Sequence, residues 1–168
     1  MDIKEAINTA LEYETRVREV YVEARDEATN EVARKIYALM ADEENDHVEY
    51  LKHKLSTWLE TGKLSADDLE SAVPDAEAVA RAVGELVTKV ESEDQEREIA
   101  VLERAAEVEK ETSAFYERMV DELSAGGEFF RRFVTIENGH LALVLAEIDA
   151  LRGSGFWFDM PEFDLEKA

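Results

Sequence analysis

The sequence contains no cysteine. Disulfides, zinc ribbons, thiolate-held iron–sulfur clusters and cysteine nucleophiles are therefore excluded. Proline occurs 2 times and glycine 7 times in 168 residues. So little turn punctuation implies long, uninterrupted elements. No apolar run reaches the ~18 residues that a membrane-spanning helix needs. Met1-Asp2-Ile3-Lys4-Glu5 has neither the basic nor the apolar block of a signal peptide. Both points set the expectation of a cytoplasmic protein with no membrane segment. Basic residues are outnumbered, with 19 Lys and Arg against 41 Asp and Glu, a net charge of −22. Such a surface repels phosphate backbones and anionic headgroups, which argues against nucleic acid and membranes as partners. It attracts cations.

What is present suits one helical domain. Hydrophobic residues make up 45% of the chain, enough for a sizeable core. Ala, Glu, Leu, Arg and Val dominate, and all but Val are good helix formers. Four long helices are expected, each with an apolar seam whose members alternate three and four residues apart. The first runs from Asp2 to Thr29 with seam residues Ile3, Ile7, Ala10, Glu14, Val17, Tyr21, Ala24 and Ala28. The second runs from Asn30 to Glu60 with Ala33, Tyr37, Met40, Glu44, His47, Leu51, Lys54 and Trp58, and Thr61-Gly62-Lys63 stops it. Lys54 is expected to reach water near the helix end.

A connector over Leu64–Pro74 follows, with Ser65-Ala66-Asp67-Asp68 able to cap a short turn. Val79, Val83, Leu86, Val87 and Val90 then predict a short crossover helix over Asp75–Val90. The third long helix starts at a capping box, Ser92-Glu93-Asp94-Gln95, and ends near Ala125-Gly126-Gly127. Its seam is Ile99, Leu102, Ala106, Glu109, Ser113, Tyr116, Val120 and Leu123. The fourth spans Glu128–Arg152 with Phe130, Phe133, Glu137, His140, Val144, Glu147 and Leu151. Gly139 is a weak point in it, costing about 1 kcal/mol against Ala. The bundle occupies residues 1–152. The aromatic tail, 153–168, contains Phe156, Trp157, Phe158 and Phe163, and is expected to pack on the bundle or on a partner subunit.

Each seam is interrupted at mid-helix by acid. A carboxylate on a buried stripe costs several kcal/mol unless it is paired or bound to metal. Glu44-x-x-His47 and Glu137-x-x-His140 each bring a carboxylate and an imidazole to one helix face, about 5–6 Å apart at Cβ. Glu14 and Glu109 interrupt the other two seams. The interruptions repeat: Glu14 and Glu109 are 95 residues apart, and Glu44 and Glu137 are 93 apart, as are His47 and His140. Tyr21 and Tyr116 each follow their helix's seam Glu by 7 residues. The pattern is that of a duplicated helix pair related by a pseudo-twofold axis.

Four carboxylates and two imidazoles can hold two divalent ions, with the charges balanced. Oxygen and imidazole donors without thiolate suit iron or manganese and admit zinc. Glu44 and Glu137 are expected to bridge, Glu14 and Glu109 to be outer ligands, and His47 and His140 to bind one ion each. Tyr21 and Tyr116 are candidate catalytic residues, able to hydrogen-bond ligands or carry transient radicals; the competing reading is core tyrosines. His53 lies off the stripe and is expected at the surface. Glu147 is expected at the bundle end, with Ile148 buried in its place, and Trp58 is expected to cap the core.

Ala10-Leu11-Glu12-Tyr13-Glu14 through Tyr21, Glu43-Glu44-Asn45-Asp46-His47, and the repeat through Glu109, Tyr116 and Glu137-Asn138-Gly139-His140 resemble the rubrerythrin family of the ferritin-like superfamily. The resemblance spans Asp2 to about Arg152. It implies an all-α ferritin-like four-helix bundle, with a long crossover containing a short helix, and a di-iron site that reduces hydrogen peroxide or oxygen. Rubrerythrins usually carry a four-cysteine rubredoxin domain. A chain without cysteine would take electrons from an external donor such as a rubredoxin, and a homodimer is implied. Many members also have a further carboxylate one turn past the third-helix Glu; Thr112 stands here, flanked by Glu111. Two alternatives remain. One is a bacterioferritin-like ferroxidase or iron-storage protein, which shares the doubled Glu-x-x-His but needs a hollow multi-subunit cage. The other is a metal-free interaction module whose buried carboxylates are neutralised by raised pKa values.

Overall fold

A computed structural model describes residues 1–66, 69–82, 86–89, 92–123, 126–154 and 156–158. They form four long helices, one short helix and a two-stranded ribbon: α1 (Ile3–Glu27), α2 (Glu31–Thr61), α3 (Ala76–Ala82), β1 (Leu86–Lys89), α4 (Ser92–Glu122), α5 (Gly127–Ser154) and β2 (Phe156–Phe158). The architecture is an all-α four-helix bundle in which a long crossover, carrying the short helix α3, connects α2 to α4.

Local chemistry sets the helix ends. Asp2 caps α1 by accepting from Glu5 N at 2.8 Å, while the Glu5 carboxylate accepts from Asp2 N at 2.9 Å. This reciprocal pair satisfies two amides that the helix leaves unpaired. Asn30 Oδ1 caps α2 by accepting from Val32 N and Ala33 N. Gly62 ends it at φ +66°, a left-handed conformation that glycine adopts without steric cost. The side chain of Gln95 donates to Leu151 O, so α4 and α5 are joined where α4 begins. The Ser92 capping box rests on side chains outside the described residues.

The helices pair as sequence neighbours, α1 with α2 and α4 with α5. The two pairs meet through α1 and α4, which run antiparallel: Tyr21 bonds Glu109, Tyr116 bonds Glu14, and Arg104 pairs with Glu23. The core lies in two clusters on either side of the bundle's middle. One contains Phe115, Tyr116, Phe129, Phe130 and Phe133 around the start of α1. The other is built from Val17, Ala24, Ala28, Ala33, Tyr37, Met40, Leu102, Leu143 and Leu151.

The crossover differs from expectation. The helix expected over Asp75–Val90 closes at Ala82, and Leu86–Lys89 is a strand. It pairs antiparallel with Phe156–Phe158, Leu86 opposite Phe158 and Lys89 opposite Phe156. A leucine followed by two β-branched residues suits an extended chain, and its partner lies 70 residues on, beyond the reach of local periodicity. The start of the tail is thereby joined to the crossover. Asp67, Asp68, Val83, Val90 and the tail beyond Phe158 lie outside the described residues.

Gly139 has a structural reason. The crossover passes so close to α5 that a Cβ on Gly139 would collide with the carbonyl oxygen of Pro74. Arg132 on the same helix donates to Leu69 O at 3.0 Å. The segment from Leu69 to Asp75 is thus seated against α5 beside the bundle's middle. No described helix is long and apolar enough to cross a membrane.

Candidate metal centre

The six residues picked out by the seams converge. Glu14, Glu44, Glu109, Glu137, His47 and His140 are all at most 1% exposed. Each comes from the middle of a long helix whose seam is otherwise mostly apolar, Ser113 beside Glu109 being an exception. The Glu-x-x-His spacing works as expected, turning Glu44 with His47 and Glu137 with His140 inward on α2 and α5.

Two overlapping donor groups result. One is Glu14, Glu44, His47 and Glu137, the other Glu44, Glu109, Glu137 and His140; in each, one donor atom per residue lies within 4.8 Å of the others. Glu44 and Glu137 belong to both. Their oxygens divide between the histidines. Glu44 Oε2 is 3.3 Å from His47 Nδ1, and Oε1 is 2.8 Å from His140 Nδ1. Glu137 Oε1 is 3.4 Å from His47 Nδ1, and Oε2 is 4.0 Å from His140 Nδ1. Glu14 Oε2 is 3.2 Å from His47 Nδ1. The two imidazoles lie nearly parallel, 9° apart, with centroids 5.4 Å apart.

The tyrosines cross between halves. Tyr21 donates to Glu109 Oε1 at 2.5 Å, and Tyr116 donates to Glu14 Oε1. Each phenol therefore holds the carboxylate of the other half, as a pseudo-twofold requires. Both phenols are pushed up in pKa by burial first and by the neighbouring carboxylates second, so both remain hydrogen-bond donors.

The electrostatics show what these groups lack. Burial raises Glu14 to about 8, outweighing the attraction of His47, and repulsion from Glu44 adds to the rise. Burial and Glu44 raise Glu109 to about 7. Burial, reinforced by Glu14, Glu44 and Glu109, pushes Glu137 well up. Glu44 goes the other way: burial is outweighed by His140 and His47, which hold it below the carboxylate range. Burial alone would lower the histidines, but the carboxylates win, and His140 rises to about 10. Four carboxylates this close cannot all ionise without added positive charge.

The donor chemistry fits divalent cations. Among the described residues, Glu44 Oε2, Glu109 Oε2 and both Glu137 oxygens are buried without a hydrogen-bond partner, although nearly all buried polar atoms in folded proteins have one. Buried Glu/His groups of this composition could hold metal.

Other expectations fared unevenly. His53 is exposed and Trp58 half-buried. Thr112 is fully buried, but its hydroxyl donates to Val108 O at 2.9 Å on its own helix, and Glu111 pairs outside with Arg16. Lys54 does not reach water freely: it is buried, with its ammonium 4.9 Å from the Tyr50 ring. Glu147 is not displaced by Ile148, because both are buried. Glu98 was missed altogether: it is buried near the start of α4 and accepts from Tyr37 at 2.8 Å. Glu43 was missed as well. It belongs to a third group with His47 and His140, and is buried where Ser71 and Ala72 of the crossover bond it. Its position one turn before His47 was the signal that could have raised it.

Comparison with protein-family models, with curated proteins and with solved structures finds no match for this chain.

Proposed function

We propose that this protein is a rubrerythrin-like di-iron oxidoreductase that reduces hydrogen peroxide or oxygen with electrons from an external donor. The observation that carries the reading is the sharing of Glu44 and Glu137 between two donor groups that are otherwise separate. Carboxylates placed so that one oxygen faces each histidine are suited to bridge two ions. Glu14 with His47, and Glu109 with His140, would complete the two positions. A pair of iron ions would supply the redox equivalents and the open coordination positions for the oxidant.

The chain's own residues do the rest. The four carboxylates offset the charge of the ions inside a dry bundle. Tyr21 and Tyr116 hold Glu109 and Glu14 in orientation and can donate a proton's hydrogen bond beside the ligand oxygens. Phe133, edge-on to His47 at 5.5 Å, and Phe130, stacked on Tyr116 at 5.9 Å, keep water from one side.

One observation favours a ferroxidase as the second reading. Thr112 leaves α4 without the additional carboxylate that would support metal movement during peroxide turnover. Mixing ferrous-loaded protein with peroxide and with oxygen separates the two: faster oxidation by peroxide supports the first. Metal analysis tests both. The purified protein should hold about two irons per chain, and Glu44→Ala or His140→Ala should remove one or both. Metal content unchanged by these substitutions rejects the assignment.

A further inference from the structure

The two half-sites are alike in their ligands and unlike in what stands behind them. His140 turns Nδ1 toward Glu44 Oε1, and its opposite ring nitrogen, Nε2, lies 3.8 Å from Glu43 Oε2. Neither ring's Nε2 is hydrogen-bonded among the described residues, but His140's has a carboxylate at ion-pair distance, whereas His47 turns Nδ1 toward the same carboxylates and has none that close to its Nε2. Its ring instead meets the edge of Phe133. The 93-residue offset that relates the halves places Ile136 where Glu43 stands, and an isoleucine can accept nothing.

Glu43 is itself held. Ser71 Oγ donates to its Oε2, and Ala72 N donates to its Oε1 at 3.0 Å. Ser71 is fixed in turn by accepting from Val73 N at 3.1 Å. The same stretch is pinned to α5 on its far side by the contact between Pro74 and Gly139, the residue next to His140. A carboxylate clamped by two donors and aimed at the outer nitrogen of a metal-ligating histidine fixes the ring's orientation and strengthens the inner nitrogen as a donor.

We propose that Glu43, seated by Ser71 and Ala72 of the crossover, is a positioning residue for His140 that makes the two metal positions unequal, the His140 position binding first and more tightly. This rests on the two-ion reading above. The crossover thereby becomes part of the metal centre. Its contact with Glu43 is the link through which loading at His140 stiffens residues 69–75.

Anaerobic titration of the full chain with Co(II), followed by calorimetry and by ligand-field absorption, tests it. The unsubstituted protein should take up two ions in two resolved steps. Glu43→Gln, which keeps one oxygen to accept from Ala72 N and offers an amide that Ser71 Oγ can accept from, but loses the charge, should weaken the tighter step by about 10–100-fold and leave the weaker step in place. Ser71→Ala, which leaves the carboxylate intact, should weaken the same step by a smaller factor. Hydrogen exchange at residues 69–75 should slow on loading in the unsubstituted protein and less so in Glu43→Gln. Thermal unfolding of each variant checks that the fold is kept. Two ions bound with both steps unmoved by Glu43→Gln, or with both weakened equally, overturns the role of Glu43 alone. Failure of the unsubstituted protein to bind two ions overturns the two-ion reading itself.

Discussion

The bundle's two ends descend from the same pattern yet are filled differently. At one end Phe129, Phe130 and Phe133 pack with Phe115, Tyr116 and Tyr50, the Tyr116–Phe133 stack closing to 4.7 Å. At the equivalent positions of the other half stand Ile36, Tyr37, Met40, Val20, Tyr21 and Leu143. Ile3 and Lys54 at the aromatic end correspond to Glu98 and Glu147 at the other. Between the ends, every Glu, His and Tyr of the candidate centre has its twin. A metal-ligand role for the middle, as proposed, would hold it to one solution, because ligand chemistry admits few substitutes. The ends need only fill space and satisfy their polar atoms, which many side chains can do.

The largest expected effect comes from charging the shared middle. In metal-stripped protein Glu14 and Glu109 have pKa values of about 8 and about 7, above the ordinary 4.5. A raised pKa means that the folded state holds the proton more tightly than the unfolded chain. That stability is complete below pH 4.5 and is lost as pH rises to about 7 and about 8. His140, raised from 6.5 to about 10, loses its share across that interval. Metal-stripped protein should therefore melt at progressively lower temperature from about pH 5 to about pH 9. Divalent ions bound there would replace the protons, so the stabilisation they give should grow over the same range. A flat melting profile without metal would mean that the middle is not protonated as its burial demands.

The aromatic end offers the next effect. Phe133→Ala should cost about 3–5 kcal/mol, and Met40→Ala, its counterpart, roughly 2–3 kcal/mol. Denaturant unfolding of the metal-loaded protein measures both; equal costs would show that the two ends carry equal packing energy. A smaller test separates the two flanks. Gly139→Ala should cost about 1–3 kcal/mol, because the crossover must move. Asp46, its counterpart, is exposed, and Asp46→Ala should stay within about 0.5 kcal/mol. Equal changes at both positions would mean that the crossover does not distinguish the flanks.

How much of this was legible in the sequence follows from what each residue had to announce. Glu14, Glu44, Glu109 and Glu137 announced themselves because a carboxylate on an apolar seam is costly, and four at matched offsets cannot be coincidence. Gly62 and Asn30 marked their helix ends by their own backbone chemistry. Glu43 could not be read in this way. It stands in the acidic run Asp42-Glu43-Glu44, off the seam, where exposure is the ordinary outcome, and its partners, Ser71, Ala72 and His140, all lie far along the chain. Glu147 was hidden by lying toward a helix end, where a seam position does not by itself decide burial, and Glu98 by standing beside the expected seam residue Ile99, which is only half-buried. The strand Leu86–Lys89 was hidden because apolar spacing in so short a stretch fits two periods, and its hydrogen-bonded partner lies far along the chain.

The crossed tyrosine bonds carry one more consequence. Cut between α2 and α4, the chain would yield two helical hairpins that each possess a carboxylate whose phenol sits on the other piece. Neither fragment could settle its own buried acid. Reassociation of the two would be favoured over solitary folding, so complementation between fragments is written into the pair of hydroxyls.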